Sequence, residues 1–375
     1  MRVYLDHAAT TPVFKEVAQE VFKVFTENYG NASSSHSHGE EARQLYEQAR
    51  GIIANHLNVS PQEIFFTSGG TESDNIAIMG FLKANFPDGG HIITTQIEHP
   101  AVLQVAKYIQ DRGYDVTYLK PTSEGYIRPD DFERAIRKNT VLASVMWVNN
   151  ETGVIQPIEE ISTIARNRGI VLHSDAVQAV GKIKIDASLV HLLSASGHKF
   201  YAPKGCGFLY VNKSVKLDPI IYGGGHEKGL RSGTENVPGA HGMAVALSII
   251  ERNYSDWCKK LQSFKQKIID GISHLSEYHI NGSRTIFSHI NVSFKGIQGE
   301  TLATALDLRG VSVSTASACS SHHGTSRSHV LDAMGLDDWI VNGAIRITLG
   351  YENTQEEIDY FVQVLCEEVK RFRNI

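Results

Sequence analysis

Cysteine is scarce in this chain: Cys206, Cys258, Cys319 and Cys366 are the four in 375 residues. None stands at metal-ligand spacing from another and no CxxC occurs, which argues against a zinc ribbon or a disulfide framework and leads us to expect free thiols. Long apolar runs are also missing. No stretch approaches the roughly 18 residues of a membrane span, and Met1-Arg2-Val3-Tyr4-Leu5-Asp6-His7 contains no signal-peptide core. The cytoplasm is therefore the expected compartment, with no membrane partner. Positive charge is not in excess, since 36 Lys and Arg against 41 Asp and Glu give 36 − 41 = −5. With no basic block, direct nucleic-acid binding is not expected. The pairs His36/His38 and His322/His323 lie among Ser and Gly with no acidic or cysteine residue at zinc-like spacing, so no metal site is expected.

What is present is a regular alternation. Strand-like runs fall at 64–67, 91–95, 116–119, 141–148, 170–174, 190–194 and 208–211. Helical patterns intervene near 71–83, 100–111, 130–138 and 157–168, after two earlier ones at 13–25 and from Glu40 to about Leu57. Residues 28–39 are rich in Gly, Ser and Asn and read as a loop. Such βαβα order predicts an α/β fold, with a mostly parallel seven-stranded sheet between helices. Past Asn253 the pattern changes to a helix over roughly 255–276, strands at 290–294, 311–314 and 344–349, a helix at 300–308 and a last helix opened by the capping box Thr354-x-x-Glu357. The expected division is a large domain over 13–252 and a smaller α+β domain made of 1–12 and 253–375.

In open sheets of this class ligands bind beyond the C-terminal strand ends. Ser68-Gly69-Gly70-Thr71-Glu72-Ser73 follows one strand and opens a helix, where backbone N–H groups and the hydroxyls of Thr71 and Ser73 suit a phosphate. His99 follows a second strand, at a place where an imidazole can stack on a flat ring and shuttle protons. Asn150 follows a third, in reach of a ring oxygen or a substrate carboxylate. Asp175 closes a fourth, where a buried carboxylate needs a partner. Lys199 follows a fifth, in Ser196-Gly197-His198-Lys199-Phe200-Tyr201, where a desolvated lysine can form a Schiff base. A flat-ring handle, a carboxylate for a pyridinium nitrogen and a lysine at one sheet rim point together to pyridoxal 5'-phosphate.

The chain also resembles, from end to end, the cysteine desulfurases of the class V aminotransferase group, pyridoxal-phosphate fold type I. The matching stretches are YLDHAATTP (4–12), FTSGGTESDN (66–75), EHPAVL (98–103), VNNETGVIQPI (148–158), HSDAVQAVGK (173–182), SGHKFYAPKG (196–205), GGGHEKGLRSGTENV (223–237), STASACSS (314–321) and IRITLG (345–350). The resemblance implies that Lys199 holds the cofactor covalently, that His99 stacks on the ring as acid and base, and that Asp175 and Gln178 bond its nitrogen and hydroxyl. It further implies that Gly70, Thr71, Ser196 and His198 bind the phosphate, that Thr234 reaches the phosphate of a neighbouring subunit in a homodimer, and that Asn150 and Arg346 hold the substrate carboxylate.

Cys319 lies in a run of small and polar residues, 314–328, whereas Cys206 precedes a strand and Cys258 and Cys366 fall in helical patterns. The resemblance makes Cys319 the nucleophile that takes sulfur from L-cysteine as a persulfide, leaving L-alanine. The sulfur would pass to iron–sulfur scaffold proteins, to tRNA thiolation or to other acceptors, with a transient iron–sulfur contact at Cys319 but no stable metal site. Ala316, where Gly is common, and the His322-His323 pair depart from the family pattern. The alternatives are a selenocysteine lyase or another class V enzyme, and, from a different class, a non-catalytic scaffold with the same fold.

Overall fold

The computed structural model describes residues 1–315 and 327–374. Cys319, Ala316, His322 and His323 lie outside the described residues. A short first strand β1 (Val3–Tyr4) precedes helices α1 (Lys15–Thr26) and α2 (Ser37–His56). The second helix begins three residues earlier than its sequence pattern suggests, because His36 Nδ1 accepts from Gly39 N and caps it.

The central sheet among the described residues contains β2 (Ile64–Thr67), β3 (His91–Thr95), β4 (Asp115–Leu119), β5 (Thr140–Ser144), β6 (Val171–Asp175), β7 (Leu192–Ser196) and β8 (Gly207–Val211). Their order across the sheet is β2-β8-β7-β6-β5-β3-β4, and β8 alone runs against its neighbours. Leu192, Leu193, Phe208 and Leu209 are buried, as apolar runs covered on both faces must be. Between the strands run α3 (Gly70–Asn75), a π-helical stretch Ile76–Gly80, α4 (Phe81–Asn85), α5 (Pro100–Gln110), α6 (Pro129–Ala135) and α7 (Ile158–Asn167). The run expected at 141–148 stops pairing as a strand at Ser144, and its remainder leads on to Asn150.

One helix, α8 (Val237–Ile272), runs for 36 residues where the sequence pattern shows only its second half. It packs on α1 and α2 early and on the C-terminal helix late, so the division expected at 252/253 falls inside it. Beyond it lie β9 (Tyr278–Ile280), β10 (His289–Phe294), α9 (Gly299–Leu308), β11 (Val311–Ser312), β12 (Ser314–Thr315), α10 (His329–Ala333), α11 (Asp338–Asn342), β13 (Ala344–Thr348) and α12 (Gln355–Arg373). Four of these strands form an antiparallel sheet in the order β12-β13-β10-β9. The capping box at Thr354 and Glu357 is made. β1 pairs in parallel with β11, so the first residues do pack against this C-terminal portion.

Two devices join the layers around the future site. Phe14, Tyr201, Tyr351 and Trp257 form an aromatic column, with successive ring centroids 4.2, 5.1 and 4.3 Å apart. Tyr351 N also donates to Tyr201 Oη at 2.8 Å, fastening the turn after Lys199 to the C-terminal portion. On the opposite flank Glu227 accepts from both terminal nitrogens of Arg50 at 2.9 Å, from Tyr46 Oη at 2.7 Å and from Phe66 N at 2.8 Å. Both side chains of this ion pair are almost wholly buried. Glu227→Ala would leave the Phe66 N–H and the Tyr46 hydroxyl without their acceptor, while Arg50 keeps Glu47 and Ile64 O, and the expected loss is about 1–3 kcal/mol. Urea unfolding of the cofactor-free protein measures it.

Candidate active site

The rim formed by the C-terminal ends of β2, β3, β5, β6 and β7 closes over a cavity of about 540 Å³. Lys199 enters it from a single 3₁₀ turn, Gly197–Lys199, directly after β7. Its Nζ donates to Ala8 O at 2.9 Å and to Ala9 O at 2.7 Å. Asp175 is the last residue of β6, buried, and accepts from Val177 N at 2.9 Å. Burial first, and the nearby Asp74 second, push its carboxyl up to about 6. No Lys or Arg among the described residues pairs with it within salt-bridge distance, so a cationic ring nitrogen would meet an unpaired carboxyl.

His99 caps α5, its Nδ1 accepting from Ala101 N at 3.1 Å. The cap engages only Nδ1 of the ring, and His99 also lines the cavity. Burial lowers its basicity; Asp175 opposes that and Lys199 adds to it. His198 donates to or accepts from Thr10 Oγ1 at 3.1 Å, and burial, then Lys199, lower it to about 4. Gln178 donates from Nε2 to Ala8 O at 2.9 Å and accepts at Oε1 from Lys182 Nζ.

The anion end of the cavity is made by Gly69, Gly70, Thr71 and Ser196. Gly69 has φ 153° and no side-chain oxygen caps α3, so the first-turn N–H groups remain available there. A Cβ at Gly70 would stand 2.6 Å from Val177 Cγ2, so close packing there requires glycine. Asn150 and Arg346 also line the cavity. Arg346 donates to Asp6 Oδ1 at 2.7 Å and to Asn150 O at 3.1 Å, while Arg346 Nε and Asn150 Oδ1 are buried without partners. A carboxylate can accept from the unmet Arg346 N–H, and the Asn150 carboxamide meets it through its Nδ2 hydrogens, whereas Oδ1 calls for a donor. An anionic tail, a flat ring with a basic nitrogen and a carboxylate-bearing substrate together match this donor set.

Thr234 is exposed and does not line this cavity. Cys319 cannot be placed, being outside the described residues. Sequence reasoning missed the strap Asp6–Thr11, whose carbonyls and carboxylate hold Lys199 and Arg346. It also missed Lys182 behind Gln178, and the buried carboxyls Asp74 and Glu98, which burial raises to about 7 and well above the usual range. The local signal for the strap was only the stretch YLDHAATTP, quoted for its family resemblance and given no role at the site. Cys206 and Cys366 are buried and Cys258 half-buried, all as free thiols, and burial pushes Cys206 up to about 12.

Comparison with known proteins gives concordant results. Residues 3–361 match the family model for aminotransferase class-V. The chain is 43% identical over 377 residues to the cysteine desulfurase IscS of Methanosarcina thermophila, covering 100% of this chain and 93% of that one. Among solved structures it is similar to a NifS-like protein, with TM-score 0.93 and 40% identity over 99% of this chain and 100% of the other. It is also similar to SspA in complex with cysteine, with TM-score 0.83 and 36% identity over 94% and 100% of the two chains.

Proposed function

The chain belongs to the class-V aminotransferase family and is a pyridoxal-phosphate-dependent cysteine desulfurase, and from that premise we propose which of its residues hold the cofactor, seat the substrate and carry the sulfur. The convergence of Lys199, Asp175, His99, Gln178, Asn150 and Arg346 on one cavity is the observation that supports the assignment. Lys199 would hold the cofactor covalently, Asp175 would pair with its ring nitrogen, Gln178 would donate to its ring oxygen, and Gly70, Thr71, Ser196 and His198 would take its phosphate. When bound, the cofactor supplies an electron sink that makes the carbon framework of L-cysteine reactive.

The protein's own groups do the rest. Arg346, braced by Asp6, offers Nε and its remaining N–H groups to the substrate carboxylate, with Asn150 beside it. His99 accepts the Ala101 N–H on Nδ1, so in the neutral ring the proton sits on Nε2, where it can be passed and recovered. The Cys319 thiolate attacks the substrate sulfur. The carbon–sulfur bond breaks, a sulfur–sulfur bond forms, and the former sulfur-bearing carbon takes a proton to become the methyl group of L-alanine. No external oxidant is needed.

The large portion over 13–252 carries the cofactor and the portion formed by 1–12 and 253–375 brings Cys319. Thr234, exposed on this chain, reaches the phosphate in a second copy, making the enzyme a homodimer. The sulfur passes to iron–sulfur scaffold proteins or other protein acceptors in the cytoplasm. The decisive experiment is incubation with L-cysteine without reductant, followed by peptide mass mapping. One added sulfur on the Cys319 peptide and one alanine per added sulfur are expected. Sulfur found on Cys206, Cys258 or Cys366 instead, or alanine formed with Cys319 unmodified, overturns the assignment.

A further inference from the structure

Lys182 is a buried lysine that none of the steps above uses. It lies four residues beyond Gln178 in the run of turns after β6, and its Nζ donates to Gln178 Oε1. Among the described residues no carboxylate pairs with it in a salt bridge. The charged and titratable groups around it are Lys199, Arg346, His7, His198 and His289, with the phenols Tyr201 and Tyr351 lining the same small cavity, and none of these is a carboxylate. Burial, then Lys199 and Arg346, lower its basicity well below the ordinary range, and Lys182 in turn lowers His7 and His289. A lysine in such a place is expensive, and a methionine would fill the space without the desolvation penalty.

The bond to Gln178 suggests its use. A carboxamide has one accepting and one donating end, and its two orientations present opposite polarity to the cavity. Here Oε1 is engaged by Lys182, and Nε2 gives one of its two hydrogens to Ala8 O at 2.9 Å. One N–H remains. We propose that Lys182 is a positioning residue, which by donating to Gln178 Oε1 holds the carboxamide with its remaining N–H toward the ring oxygen of the cofactor; this rests on the reading of Gln178 given above. With Lys182 removed, Ala8 O is the sole anchor, and the amide can turn a lone pair toward an oxygen that bears negative charge. The ring oxygen then loses a donor, and the proton that titrates with the visible band is held more tightly.

The test is a pH titration of the visible band of cofactor-loaded protein. Lys182→Met is expected to raise the midpoint by about half a pH unit or more, the size of one lost neutral hydrogen bond. Its melting temperature in the cofactor-free state should be unchanged or higher, whereas a purely structural lysine would lower it. Gln178→Ala should raise the midpoint at least as far, and the double variant should match Gln178→Ala alone, because Lys182 acts through Gln178. Lys182→Arg, whose head group can only donate, should stay near the wild-type midpoint. If Lys182→Met fails to fold, Lys182→Gln takes its place with the same expected direction, since its own amide no longer dictates polarity.

An unmoved midpoint in the folded Lys182 variant, with Gln178→Ala shifted, overturns the proposal and leaves the role of Gln178 intact. Additive shifts in the double variant overturn it in favour of a through-space charge. An unmoved midpoint in Gln178→Ala removes the reading of Gln178 and the proposal with it.

Discussion

Lys199→Ala is expected to lower desulfuration of L-cysteine by at least ~10⁴-fold, the scale seen when the covalent residue of an active site is removed. The structure says why the loss should be chemical and not structural. Lys199 stands on a three-residue turn whose main chain is held independently of the side chain: Gly197 N donates to Cys206 O at 2.9 Å and Phe200 N to Gly197 O at 3.0 Å. The Nζ contacts to Ala8 O and Ala9 O are to neutral carbonyls at the edge of a cavity, where water can replace the amine. Asp175, Gln178, Ser196 and the glycine pair are untouched by the substitution. The variant should therefore fold, still take up cofactor, and release it on dialysis, whereas the wild type keeps it. Far-UV circular dichroism, cofactor content after dialysis and alanine production read the three expectations separately. A variant that retains the cofactor through dialysis would mean that Lys199 is not its covalent anchor.

Asp175→Asn should act in opposite directions on the two forms of the protein. In the cofactor-loaded enzyme it would remove one partner of a buried ion pair, and kcat/KM is expected to fall roughly 10²–10⁴-fold, as for a loss of ~3–5 kcal/mol. In the cofactor-free protein the carboxyl is a liability. Its folded value of about 6 lies above that of an unfolded aspartate, so between roughly pH 4 and 6 the unfolded chain gives up its proton while the folded chain keeps it. Unfolding then releases a proton, and stability falls as pH rises through that window, levelling above the folded value. Asn at 175 does not titrate. The cofactor-free variant should melt higher than the wild type at pH 7, and the two should converge towards pH 4. Equal melting temperatures across that range would contradict a strained carboxyl waiting for a cation.

The rim of the sheet was readable from sequence because each strand there stops at small or polar residues after an apolar run. Ser68-Gly69-Gly70 after β2, Asp175 at the end of β6 and Ser196 to Lys199 after β7 are all of this kind. Strand direction was less accessible. β8 carries the same buried run as its parallel neighbours, and nothing in Gly207-Phe208-Leu209-Tyr210-Val211 tells that it runs the other way. The first half of α8 went unread for a related reason. Gly239, Ala240, Gly242, Met243, Ala244, Ala246 and Leu247 are all buried, so that stretch has no polar face to set a period. Only where Trp257, Leu261 and Phe264 alternate with lysines does the helix announce itself.

The contacts that orient the site were hidden for a different reason. Asp6 to Arg346, Ala8 to Lys199 and Ala8 to Gln178 join residues 340, 191 and 170 positions apart. Backbone carbonyls act in two of these three contacts, and a carbonyl carries no residue-type signature. Lys182 was quoted within a motif, yet only the turn geometry after β6 brings it behind Gln178. Local pattern therefore brought out the candidate groups that line one cavity, and tertiary pairing supplied what holds them in register.

The strap also has a consequence for synthesis. Val3 N donates to Gly310 O, Leu5 N to Ser312 O and Thr348 N to Leu5 O, each at 2.8 Å. Thr11 is bonded to His198, and Ala8 N to Thr348 Oγ1 at 2.9 Å. At elongation rates of about 5–20 residues per second, Leu5 leaves the peptidyl-transferase centre roughly 15–70 s before Thr348 is made. The central sheet can pair during that interval, because its strands span only residues 64–211. Thr11 can tie the strap to His198 and Tyr201 early, but the Asp6 carboxylate cannot brace Arg346 until nearly the whole chain has emerged. A ribosome-bound nascent chain stalled before β13 would thus hold a finished sheet whose rim still lacked Arg346 and its brace.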